Sequence, residues 1–159
     1  MWTHRKDGRL DIRTDDEITS KNHTPYKHYP DKTLYTRING ELCAFNTTQI
    51  IKRYKPKAWI MENPQSSRIW DYLEIYHNFS GYRNIAHYGA YNASFPKKPT
   101  CFLSNYELDL KKMGKGQRAK VAFKKSEGQR EVSRNYNVRS DIPDELIVDA
   151  LNQLIKKIS

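Results

Sequence analysis

A carboxylate, an amide and a proline stand together at Glu62, Asn63 and Pro64, directly after the apolar run Ala58–Met61. By residue type, that run is a short buried strand, and the three residues after it lie where the strand meets its loop. A strand-ending turn is one account of them: Glu62 solvated, Asn63 bonded to nearby backbone, Pro64 fixing φ. A carboxyl group at the rim of a pocket can do more. It can accept a hydrogen bond from the exocyclic amine of a cytosine turned out of its duplex, and hold a proton towards ring N3. Protonation there would make C6 more electrophilic, so one glutamate would both recognise and activate the base.

The elements that must position these residues follow from periodicity. Thr47 or Thr48 is read as the cap of a helix "TTQIIKRYK", with Ile50, Ile51 and Tyr54 on one face and Pro56 ending it. After the strand, Ser66 or Ser67 caps a second helix, "SRIWDYLEIYH", in which Ile69, Leu73 and Tyr76 recur at i, i+4 and i+7 beside Trp70. Gly81 turns the chain into "YRNIAHYGAY", whose middle is a strand; "FPKKPT" is a loop and "CFLSN" a short strand. "DIPDELIVDALNQLIKKIS" closes as a helix, capped by Asp141, with Pro143 near its first turn and Leu146, Ile147, Ala150, Leu151, Leu154 and Ile158 as its apolar face. Residues 1–45 read as an irregular basic and polar arm, with one option of order: a hairpin of "TLYTRI" and "ELCAF" joined through Asn39-Gly40. The expected organisation is a single α/β domain: the arm, a core over 46–110, a basic insert over 111–140 and a closing helix over 141–159.

Composition narrows the partners. The chain has 159 residues, 37% of them hydrophobic, and eleven tyrosines; mean hydropathy is −0.90. No run approaches the ~18 apolar residues of a membrane span, and the N-terminus has no apolar leader segment. Cys43 and Cys101 fit neither a disulfide framework nor metal-ligand spacing. A cytoplasmic protein with no membrane partner is expected. Net charge is +10, and between Lys111 and Arg139 ten Lys/Arg face only Glu127 and Glu131. Such a segment suits a polyanion, because each phosphate neutralised releases counterions. Its "KKMGKGQRAK" run lacks the Gly-Lys-Ser/Thr ending of a phosphate loop, so flexible DNA contact is the better reading. The five histidines are scattered without a third ligand near His23 and His28, and Asp15, Asp16 and Glu17 read as a solvated face.

Three segments in order, "KPKAWIMENPQSS", "YGAYNASFPKKPTCFLSN" and "RSDIPDELIVDAL", resemble the C-terminal half of phage-type cytosine-C5 DNA methyltransferases over roughly Gln49 to Leu151. An amino-methyltransferase motif would need proline and an aromatic after Pro64, where Gln65 and Ser66 stand. The resemblance implies a partial Rossmann-like methyltransferase sheet with flanking helices and a basic insert. Glu62 would contact the target cytosine and Asn63 would brace the loop. Lys97, Lys98 and Thr100 would lie near the DNA backbone or the pocket. Lys111, Lys112, Lys115, Arg118, Lys120, Lys124, Lys125, Arg130 and Arg134 would hold phosphates of double-stranded DNA, and one or two arginines would read guanines. Phe123, Gln129 and Tyr136 lie in the same insert.

The chain departs from that family in two places. It lacks the glycine loop and following acidic residue that hold S-adenosylmethionine. It also lacks a Pro-Cys nucleophile: Cys43 sits between Leu42 and Ala44, and Cys101 follows Pro99-Thr100 in a strand. Residues 1–45 correspond to the region after that nucleophile. The expectation is a methyltransferase-like fragment that is inactive and binds no cofactor alone, completed by a separately encoded half carrying S-adenosylmethionine and the nucleophile. The alternatives are a non-enzymatic phage DNA-binding or anti-defence (anti-restriction or anti-CRISPR) protein built on such a remnant, with a host defence protein as partner, and a basic binding protein of other descent. The phage readings set it in the cytoplasm of an infected or lysogenic bacterium.

Overall fold

The computed structural model describes residues 2–4, 10–12, 30–123, 128–131 and 140–159, with side chains from Leu34 onward. The chain forms two compact units, one of residues 1–55 with 68–80, the other of residues 56–67 with 81–159. This division cuts across the boundaries read from composition.

The first unit holds an antiparallel pair, β1 (Trp2–His4) and β2 (Leu10–Ile12), and two helices, α1 (Pro30–Tyr54) and α2 (Ile69–His77). Helix α1 overturns two expectations. It runs unbroken through Asn39-Gly40, so the proposed hairpin is absent and only residues up to 29 remain for an arm. The favourable neighbours win over the turn dipeptide: Arg37 and Glu41 pair at 2.6 Å across one helical turn, and a glycine costs a helix only ~1 kcal/mol. Thr47 and Thr48 cap nothing. Their hydroxyls donate back to the carbonyls of Cys43 and Phe45 within the helix, both at 2.8 Å. The helix ends before Pro56, as the sequence predicts: Lys55 adopts φ 44° and its N–H returns to the Ile51 carbonyl. Ala44 and Thr48 are buried on one side of α1, as are Trp70, Tyr72 and Leu73 of α2. Lys52 Nζ donates to the His77 carbonyl at 2.6 Å, and Phe45 meets the His77 ring. Arg68, rather than a serine, occupies the N-cap position of α2.

The second unit is built on three strands: β3 (Ile60–Pro64), β4 (Tyr82–His87) and β5 (Pro99–Ser104). A short helix, α3 (Tyr88–Tyr91), follows β4 directly. The strand order is β3-β5-β4, with β5 antiparallel to both neighbours. Two-residue strands β6 (Val121–Ala122) and β7 (Arg130–Glu131) pair in parallel, and α4 (Asp144–Ile158) closes the chain. The fold is thus a mixture of helices and strands around a small antiparallel sheet. One row across it reads Glu62, Phe102, Asn84; the next on the same face reads Pro64, Thr100, Ala86. This face carries the core, where Ala86, Phe102 and Tyr88 pack with Leu108, Leu110, Leu146, Ala150 and Leu154. Beta5 has to be apolar on both sides, and Cys101 and Leu103 on its other face are also buried.

Two asparagines lock the ends of these strands. Asn84 is 5% exposed; its amide donates to the Phe102 and Tyr106 carbonyls and to Ser104 Oγ, and its oxygen accepts the Leu108 N–H at 2.8 Å. Asn105 accepts the Trp59 N–H and donates to the Lys57 carbonyl, fixing the approach to β3. Asp141, the expected cap of α4, accepts the Ile142 N–H, while Pro143 takes the N-cap position and its carbonyl accepts from Leu146 and Ile147.

Candidate functional site

Strands β3 and β4 run in the same direction with β5 reversed between them. The C-terminal ends of β3 and β4 therefore meet the N-terminal end of β5 at one edge of the sheet. Three junctions bring three side chains together there: Glu62 near the end of β3, Tyr88 just after β4 and Lys98 just before β5. Glu62 is not in a turn. It is a strand residue opposite Phe102, and Pro64 is tolerated because β3 is an outer strand of the sheet.

Because Glu62 shares the face of Phe102 and Ala86, its carboxylate points to the side on which the core is built. The Tyr88 hydroxyl donates to Glu62 Oε1 at 3.2 Å. Tyr88 itself is fully buried, and burial pushes its hydroxyl well above the ordinary tyrosine range, so it stays protonated and can keep donating. Lys98 lies with Nζ 4.5 Å from the centre of the Tyr88 ring. Its backbone is left-handed at φ 34°, a conformation that costs a non-glycine residue roughly 1 kcal/mol or more. Burial lowers the proton affinity of its amine, which Glu62 and Asp141 partly restore. Carboxylate, phenol and amine thus form one hydrogen-bonding and electrostatic group.

A cleft of about 790 Å³ opens over this group, lined by Glu62, Asn63, Pro64, Ser66, Lys98, Pro99, Phe123 and Ser140. A second hollow of about 370 Å³ shares Lys98, Pro99 and Phe123 and adds Lys97, Arg118 and Gln129. The first offers an acceptor, a donor, hydroxyls and an aromatic ring, which together suit a planar polar heterocycle. The second adds cations beside it.

The expected residues divide accordingly. Asn63 makes a local bond, its amide donating to the Glu62 carbonyl at 2.6 Å. Thr100 is fully buried and donates to the Lys98 carbonyl, so it supports the site from beneath. Lys111 is tied to its own chain: its N–H donates to the Tyr91 hydroxyl at 2.8 Å and its amine lies 5.2 Å from that ring's centre. Lys97, Lys112, Lys115, Arg118, Lys120 and Arg130 are exposed or half-buried members of the basic set. The insert that carries the last five is anchored by buried Leu110, Met113 and Ala119, and by the Gln129 amide on the Ala119 carbonyl. Lys124, Lys125, Arg134, Tyr136 and Arg139 lie outside the described residues, as do Asp15, Asp16, Glu17, His23 and His28. Sequence reasoning missed Tyr88; a tyrosine ending an apolar strand was its only signal.

Cys101 is 1% exposed and burial pushes its thiol up, the reverse of an activated thiolate; Cys43 lies on α1 in the other unit. The two glycines whose surroundings would crowd an added Cβ are closed by the chain's own atoms, Gly81 by Ser104 and Trp59, Gly89 by Met113, Phe95 and Pro96. Among the described residues there is no group of acids, histidines and cysteines that could hold a metal, and no helix long and apolar enough to cross a membrane. Comparison of the chain with protein-family models, with curated proteins and with solved structures finds no significant match in any of the three.

Proposed function

We propose that this chain is the DNA-binding, cytosine-recognising half of a cytosine-C5 DNA methyltransferase, working in the cytoplasm and inactive until a partner supplies cofactor and nucleophile. In that reading the three strands belong to a larger Rossmann-like sheet. The observation that carries it is the hydrogen bond from buried Tyr88 to Glu62, a residue that lines the cleft. It holds a carboxylate, otherwise expected to wave in solvent, where a base turned out of a duplex could meet it. The resemblance of the flanking segments and the cations of the insert point the same way.

Discrimination between bases tests it. Duplexes carrying a mismatched, easily extruded cytosine or thymine are compared for binding to the parent chain and to Glu62→Gln. The substituted amide keeps an oxygen for the Tyr88 hydroxyl, so the fold stands. The parent is expected to favour cytosine about tenfold, within the ~1–3 kcal/mol of a good base contact, and the variant to lose that preference while still binding DNA. Equal binding of both bases by the parent would remove the cytosine reading and leave a DNA-binding remnant. No binding even at low salt would remove both.

A further inference from the structure

Only part of the apolar face of α4 is covered. Leu146, Ala150 and Leu154 are buried, whereas Ile147, Leu151 and Ile155 are 39, 47 and 56% exposed, with Val148 and Ile158 beside them. At about 100° per residue the exposed side chains form one stripe roughly 100° wide, adjoining the buried one. Apolar residues scattered singly on a surface need no explanation, but a continuous stripe along a helix marks an interaction face.

We propose that this stripe packs against the same stripe of a second copy of the chain, the two α4 helices running antiparallel about a twofold axis near Leu151. Charge identifies the occupant. The first turn of α4 is acidic, with Asp144 and Glu145, and the last is basic, with Lys156 and Lys157. Glu145 and Lys156 lie on the same flank of the stripe, about 20° apart by the helical repeat, and nearly equidistant from Leu151 along the chain. Antiparallel self-pairing sets Glu145 of each copy beside Lys156 of the other, twice. Parallel self-pairing would oppose like charges. A chain of net charge +10 repels its own copies over most of its surface. Helix α4 carries three carboxylates against two lysines, so that repulsion is weakened there. The inference does not depend on the DNA reading.

A contact centred on five apolar side chains falls short of the ~20–30 residues a side of a standard interface, so a weak dimer is expected, and sedimentation equilibrium must span roughly micromolar to millimolar chain. The expected result is a mass that doubles with concentration. Leu151→Glu abolishes the rise while its circular dichroism stays that of the parent, since the substituted side chain is half exposed. Glu145→Lys and Lys156→Glu each weaken the dimer about tenfold, and the double reversal restores it. A monomer at the highest concentration, a dimer indifferent to Leu151→Glu, or a double reversal that fails to rescue overturns the proposal.

Discussion

At the scale of single residues, the environment sets the chemistry. Glu62 would be an ordinary surface carboxylate but for the strand alternation that turns it to the core side, where Tyr88 waits. His87, on the opposite face at the end of β4, makes the converse arrangement. Its Nδ1 accepts the Met113 N–H at 2.8 Å, which requires that nitrogen to be unprotonated. Burial, then the charges of Lys97 and Lys112, hold its pKa below the ordinary histidine value of 6.5. With the folded value depressed, the unfolded chain takes up the proton first. Stability is therefore whole above about pH 6.5 and declines as pH falls from there towards the folded value. Urea unfolding should show a level midpoint from pH 7 to 8 and a falling one below 6.5, shallower in His87→Gln. An equal decline in that variant would place the titrating group elsewhere.

Whole elements show where sequence reading succeeds and fails. Gly40 lies in the exposed interior of α1, and a Cβ built there meets nothing within 4 Å. Gly40→Ala should therefore raise stability by about 0.5–1 kcal/mol in thermal or urea melts. In a hairpin turn, where that glycine would need positive φ, the same change would lower it; the sign distinguishes the two structures. No hairpin forms because Asn-Gly is a local signal, while α1 is decided by a run of neighbours and by burial of Ala44 and Thr48. Beta3, β4 and α4 were legible from apolar runs and periodicity. Their adjacency was not. That β5 lies between β3 and β4, and so gathers Glu62, Tyr88 and Lys98 at one edge, depends on pairing between residues far apart in the chain, which no local pattern records. Asn84 was invisible for the same reason: it reads as a polar interruption of a strand, yet its side chain links β4, β5 and the loop to Leu108.

For the whole molecule, charge is the dominant variable. Arg118, Lys120 and Arg130 belong to the anchored insert, and the Arg130 N–H is held by the Lys120 carbonyl at 2.9 Å. If all three meet phosphates, replacing them with glutamine should flatten the slope of log binding constant against log salt by roughly 2 to 3, near 0.9 per contact. Binding measured from low to physiological salt checks this, and an unchanged slope would move the DNA contact off these residues. The ten cations of the segment were plain in the sequence. Which of them are already engaged, as Lys111 is with Tyr91, was not.

The path of the chain has a practical corollary for anyone wishing to cut it. The first unit borrows residues 68–80 from the middle of the second. No single truncation can separate them: a chain starting at Pro56 would still carry α2, its Trp70, Tyr72 and Leu73 robbed of α1. Isolating the second unit takes a start at Pro56 and also a linker of several residues in place of 68–80, because Ser67 follows the Thr100 end of the sheet and Gly81 precedes its Ser104 end. Natural trimming by a protease at one exposed bond would likewise leave the two units tied, so a nicked molecule should migrate whole until denatured.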